Sequence, residues 1–174
     1  MAKTLFLHKR YFQAMHSYER AGMPREKAIA YAYHLREQAR GIPTRNRSGD
    51  SERRNAYDKV AKAFLASAGE TGATSRERSE YYRVAAEAFL ILEDHAQAAR
   101  AFEKASKFTE AAQNYRHAGM FDETVAVIKN YGAAMDSSVA KTLTNVARYY
   151  YFERGDLKYA ILSYPLLAIS HIRP

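Results

Sequence analysis

Apolar residues recur three and four apart along most of this chain, which predicts helix after helix. Tyr11, Ala14, Met15 and Tyr18 fall at i, i+3, i+4 and i+7. Gly22 suits a helix C-cap, because glycine enters the left-handed region without steric cost, and Pro24 fits the first turn of the next helix. Ala28, Tyr31, Ala32, Leu35 and Ala39 give that helix a buried stripe, which Gly41 and Pro43 end. Thr44 to Asp50 is polar, basic and turn-rich, so it reads as a loop, with Asp50 or Ser51 capping the next helix. Tyr57, Val60, Ala61, Phe64, Leu65 and Ala68 then continue the helical period. Gly69 to Ser75 is a second loop, and Tyr82, Ala85, Phe89 and Leu92 line a further helix. Clean alternation of period two is absent, so the fold class is all-α.

From Phe89 the spacing tightens. Phe89, Phe102, Tyr115 and Ile128 are each 13 residues apart, and Ala98-Ala99, Ala111-Ala112 and Val125-Ala126 form small-residue pairs between them. Small residues let helices approach closely, while the aromatics wedge between layers. Gly132 to Ser138 is a turn, and Val139, Leu143, Val146, Ala147 and Tyr150 form a longer helix closed by Gly155. Asp156 can cap a last helix from Leu157. One phrase occurs twice, Tyr18-Glu19-Arg20-Ala21-Gly22-Met23 and Tyr115-Arg116-His117-Ala118-Gly119-Met120. Repeated helical phrases predict a solenoid over residues 1–162, and solenoids serve as binding surfaces more often than as catalysts. Residues 163–174 lack the alanine pairs and form an atypical, proline-bounded tail. The expected polar capping helix is missing there, which suggests a piece of a longer protein or an end foreign to the repeat.

The segments Ala61 to Leu65, Tyr81 to Phe89, Ala98 to Gly119 and Ala147 to Asp156 resemble tetratricopeptide-like repeats. Their irregular unit length and lack of Trp resemble the helical repeats of large fungal tetratricopeptide-and-ankyrin-repeat proteins, which carry a UvrD-like helicase core. Clathrin-type and intraflagellar-transport-type solenoids use similar alanine-aromatic phrases. The resemblance implies an α-solenoid of antiparallel helix pairs, a scaffold beside an ATP-driven motor that lies outside this chain.

Composition narrows the chemistry. The absence of cysteine excludes disulfides, thiolate metal sites and cysteine nucleophiles. No HExxH pair or His/Cys cluster occurs among the six histidines, so no metal is expected. Gly69 to Ser75 has the glycines of a phosphate loop but no lysine, so no nucleotide cofactor is expected either. Carboxylates such as Glu26, Glu77 and Glu103 sit beside Lys27, Arg78 and Lys104 and read as solvated helix faces. The chain is therefore expected to be non-enzymatic, with no small-molecule substrate. No apolar run approaches a membrane span and the N-terminus is too short in apolar residues for a signal peptide, so no membrane and a cytoplasmic or nuclear location are expected.

A net charge of +8 makes anionic partners attractive. The basic stretch 36–59 contains Arg36, Arg40, Arg45, Arg47, Arg53, Arg54 and Lys59, opposed along the chain only by Glu37, Asp50, Glu52 and Asp58. With Tyr31, Tyr33 and Tyr57 nearby it has the elements of a single-strand site, charge plus stacking. The same arginines could meet an acidic protein, or form an ordinary charged loop. The run Tyr149-Tyr150-Tyr151-Phe152 covers every face of a helix, so one or two of its rings, with Tyr149 and Tyr151 as candidates, must face a neighbouring repeat or a partner. The leading expectation is a protein-binding scaffold, and the alternative is an accessory module contacting nucleic acid.

Overall fold

The computed structural model describes residues 1–43 and 47–155, with residues 47 and 48 described by backbone alone. The helices are α1 (Ala2–Leu7), α2 (Tyr11–Arg20), α3 (Pro24–Gly41), α4 (Arg47–Gly69), α5 (Ser75–Ile91), α6 (His95–Lys104), α7 (Phe108–His117), α8 (Phe121–Tyr131) and α9 (Ser137–Glu153). A 3-10 turn, Gly132–Ala134, separates α8 from α9, and no strand occurs among the described residues. The protein is all-α. It divides into two compact units, Met1–Glu93 and Asp94–Pro174.

One turn recurs. Lys9, Gly22, Glu93, Ser106, Gly119 and Gly155 all take a positive φ directly after a helix cap. At Gly22, the Met23 N–H donates to the Tyr18 carbonyl at 3.0 Å and the Gly22 N–H to that of Glu19 at 3.1 Å. Gly119 repeats this through Met120 to Tyr115, 2.8 Å, and Ser106 through Lys107 to Phe102, also 2.8 Å. This double bond pattern is a Schellman cap, which satisfies carbonyls that a helix end otherwise leaves without partners. The anchors Leu5, Tyr18, Phe89, Phe102, Tyr115 and Tyr151 each stand four residues before the left-handed one. Four residues earlier again, Ala14, Ala85, Ala98, Ala111 and Ala147 are fully buried. The 13-residue period is thus a helix turn of small residue and anchor, a cap, and a tight turn.

The period continues in sequence to Ile128, but the turn does not, since Gly132 stays right-handed and opens the 3-10 turn. The small pair of α8 also differs from the expected Val125-Ala126. Thr124 is buried and Ala126 exposed, so the register is Thr124-Val125, 13 residues after Ala111-Ala112. Thr124 is tolerated there because its hydroxyl donates to the Met120 carbonyl at 2.9 Å.

Within the first unit each helix packs on the next. One ring from every helix enters a ladder. Phe6 meets Tyr11 and Tyr33, each at 5.2 Å between centroids, Tyr33 meets Phe64 at 5.0 Å, and Phe64 meets Tyr81 at 6.1 Å. Because α3 packs on both α2 and α4, it buries Ile29, Ala30, Ala32 and Ala39 rather than the single expected stripe, and Tyr31 is exposed. Residues 47–50 of the expected loop at 44–50 are helical, and residues 44–46 lie outside the described residues. Helix α4 already runs from Arg47, which leaves Asp50 and Ser51 inside it rather than as caps. Helix α5 starts on a reciprocal capping box, Thr74 with Glu77.

Within the second unit α6, α7, α8 and α9 pack in succession, and α7 also meets α9. Three ring pairs follow the 13-residue period. His95, Phe108 and Phe121 each open a helix, and they meet His117, Tyr131 and Tyr150 near the end of the following one, at 5.2, 3.9 and 4.0 Å. The proposed last helix from Leu157 and the tail 163–174 lie outside the described residues.

The caps give a direct stability test. A left-handed conformation costs an L-residue about 1–2 kcal/mol, and glycine nothing comparable. Ser106→Gly is expected to stabilise the second unit by about 0.5–1 kcal/mol, with part of the relief offset by glycine's unfolded-state entropy. Gly119→Ala meets no neighbouring atom, so only its backbone strain counts, and it should cost about 1 kcal/mol. Urea unfolding of both variants checks the signs.

Candidate interaction surface

Three cations of the arginine stretch pair with carboxylates, two of them with residues far along the chain. Arg36 on α3 donates to Glu87 of α5 at 3.1 Å, and Arg54 on α4 pairs with Glu93 at 3.1 Å. Arg40 pairs with Glu37 at 3.1 Å, and the Arg53 guanidinium lies over the Tyr57 ring, 5.5 Å from its centroid. Arg45 lies outside the described residues, as does the side chain of Arg47. Glu87 also pairs with Arg83, which forks onto Glu80 at 2.6 and 2.9 Å. The Glu80 hydrogen bonds, outweighing burial, push the Arg83 pKa above an ordinary arginine's, so this network stays charged. Tyr57 is buried and Tyr33 is built into the ladder, so neither offers a free stacking face, whereas Tyr31 does.

The aromatic run divides cleanly. Tyr149 is 67% exposed and Phe152 61%, three residues apart on one face of α9. Tyr150 stacks on Phe121. Tyr151 corrects its expected role as a partner contact. It is the anchor of the α9 cap, 5% exposed, and its hydroxyl donates to Asp122. The period explains the reversal, since the residue four before the left-handed Gly155 must be the buried one.

The carboxylates expected on solvated faces also have specific work. Glu77 accepts from the Thr74 backbone and hydroxyl at 2.8 and 3.0 Å and from Arg25 at 3.0 Å. The Thr74 bonds, ahead of Arg25, hold its carboxyl below the usual range. Its charge occupies the helix N-terminus beside the glycine loop, where a phosphate would have to sit. Glu103 accepts the Tyr115 hydroxyl at 2.8 Å. His95 opens α6, with its Nδ1 2.9 Å from Asn114 Oδ1. Among the described residues no three His, Asp or Glu side chains converge as a metal site, and no helix is long and apolar enough to cross a membrane.

No family model, curated protein or solved structure matches this chain. The surface itself must therefore carry the reading. Its least expected part lies on α2 and α3. Phe12 is 53% exposed, with its ring 4.6 Å from that of His16 and 5.3 Å from that of His34. Tyr31 is 47% exposed and borders an apolar groove of about 340 Å³ whose other walls are Met15, Pro24, Lys27 and Ala28. Phe12 directly follows the predicted stripe residue Tyr11, which was the available signal. Tyr31 was expected inside, because a single apolar stripe does not anticipate a helix packed on two sides.

The buried tyrosines predict an alkaline limit to stability. Burial first, and then the bond to Glu103, pushes the Tyr115 pKa upward. Burial also raises Tyr33, and pushes Tyr81 up to about 12. Unfolded tyrosine titrates near ~10, so above that pH the unfolded chain releases protons that the folded one retains. This contribution is complete below pH ~10 and is lost as pH rises through the folded values. Tyr115→Phe should therefore lose less Tm than the unaltered chain between pH 8 and pH 11.

Proposed function

We propose that this chain is a non-enzymatic helical-repeat scaffold that binds another protein, built as an α-solenoid of antiparallel helix pairs. The observation that carries this is the recurring unit of fully buried alanine, anchor and Schellman cap at 13-residue spacing. A unit of that size buries its apolar face only against its neighbours, which is the logic of repeat arrays. The ring pairs support the antiparallel arrangement, because each joins the start of one helix to the end of the next. Exposed aromatics at Phe12, Tyr31, Tyr149 and Phe152 are the residue types enriched at the cores of protein interfaces. Pairing of Arg36, Arg40 and Arg54 with carboxylates leaves fewer unopposed cations for the alternative, a nucleic-acid contact through 36–59. Association with a helicase core rests on the sequence resemblance alone.

The test is selection of a displayed random 12-residue peptide library on the immobilised chain, beside anisotropy of a labelled 20-nucleotide oligothymidine. Enriched peptides that bind free in solution at physiological salt are the expected result. A library that enriches nothing, together with tight, salt-sensitive binding of the strand, would overturn it.

A further inference from the structure

Three contacts set the register of α2 against α3 on one flank of the pair. The Phe12 ring lies 5.3 Å from that of His34, Met15 and Tyr31 wall the same groove, and Lys27 pairs with Glu19. Each step moves three or four residues up α2 and the same number down α3, so the contacts are successive rungs of one strip. The first rung is a knob. Phe12 is 53% exposed, and the rings of His16 and His34 flank it. The second is a hole, the ~340 Å³ groove, whose lining is almost entirely apolar. The third carries the charges of the strip, and Lys27 and Glu19 are already paired with each other, with His16 3.5 Å from the same carboxylate. The strip thus sets an exposed aromatic ring beside an apolar groove, with no unopposed charge on its rungs.

We infer that this strip binds a second copy of the chain, each copy seating Phe12 in the other's groove between Met15, Ala28 and Tyr31. The knob and the hole together choose the occupant. A two-fold interface between identical chains needs one patch that carries both halves of each contact. Here the two halves stand one rung apart on one face, so a two-fold axis between them brings each ring onto the other copy's groove. A partner of different sequence would have to supply both a ring and a pocket at that spacing. The paired Lys27 and Glu19 leave no unopposed charge on the rungs to repel a second copy. The net charge of +8 opposes association at longer range, where salt screens it. Helix α2 has ten residues and is ~15 Å long, which keeps the strip below the ~800 Å² per partner of a standard interface. The dimer is therefore weak, with a Kd of ~10–300 µM.

Sedimentation equilibrium from ~10 µM to ~1 mM tests this on the unaltered chain, on Phe12→Ser, which removes the knob, and on Ala28→Met, which fills the hole. The double variant Tyr149→Ser/Phe152→Ser on α9 is the control. Circular dichroism confirms that each variant folds, and Phe12→Ser, at an exposed site, carries the test should Ala28→Met disturb α3. Each substitution acts twice in a two-fold dimer, so either should weaken self-association at least about tenfold, while the control leaves it unchanged. The two variants are then mixed. Phe12→Ser keeps an open groove and Ala28→Met keeps its ring, so the mixed dimer forms one of the two contacts without a clash. Fluorescence-detected sedimentation of labelled Phe12→Ser should show it pairing more tightly with Ala28→Met than with itself. Raising salt from about 50 to about 500 mM should leave the unaltered dimer as tight or tighter. A chain that stays monomeric at ~1 mM overturns the inference, and so does a dimer that neither substitution weakens. Mixed variants that associate no better than Phe12→Ser alone overturn the reciprocal seating and with it the inference. A dimer lost only in the α9 control assigns self-association to α9 instead. None of these outcomes touches the reading that the chain binds another protein, which the peptide selection tests.

Discussion

Phe64→Ala is expected to cost about 3–5 kcal/mol, the largest loss of any single truncation in the first unit. Phe64 is fully buried and stands in the middle of the ring ladder, between Tyr33 and Tyr81. Removing it deletes its own transfer energy and leaves a cavity between α3 and α5, whose walls are held by polar contacts that resist collapse. Arg36 ties α3 to Glu87 of α5, and Arg25 ties it to Glu77. Both aromatic neighbours also lose edge contacts worth about 0.5–1.5 kcal/mol each beyond area. A domain with a total stability of ~5–15 kcal/mol would lose about a fifth of it or more. Urea unfolding followed by near-ultraviolet circular dichroism, which reports the stacked tyrosines, measures this. A loss below about 1 kcal/mol would mean that the rings repack and the ladder is not the organising core.

Much of the fold was legible because the local signals agree. Gly22 and Gly119 stand where the backbone must be left-handed, so the repeated phrase marks a repeated turn. Lys9, Glu93 and Ser106 take the same left-handed φ without glycine, and Gly155 takes it outside the repeated phrase, so that phrase marks only two of the six positions. The stripe at Tyr57, Val60, Ala61 and Phe64 is buried as the period predicts. What the sequence did not reveal depends on distant residues. The partners of Arg36 and Arg54 come from α5 and its end, far along the chain, so a charge count over 36–59 could not see them. Tyr31 and Tyr151 were misplaced for a related reason. Periodicity says that one face of a helix is apolar, but the number of neighbours decides how many faces are covered.

The register of the small-residue pairs carries the final prediction. Two alignments of α8 compete, Val125-Ala126 from composition and Thr124-Val125 from the 13-residue period. They differ by one residue, and so by about 100° around the helix. Ala112 is fully buried on α7, a helix that packs against α6, α8 and α9. Ala112→Leu adds three carbons where nothing can move aside, and should cost about 3 kcal/mol, at the upper end for overpacking. Ala126 is exposed, so Ala126→Leu should change stability by no more than about 0.5 kcal/mol. Thermal unfolding of both variants decides the register. A similar large loss in each would place Ala126 inside and restore the composition-based pairing. A loss confined to Ala112 means that the array is built on the period of its turns, with Thr124 filling an alanine's place because its hydroxyl is returned to the Met120 carbonyl.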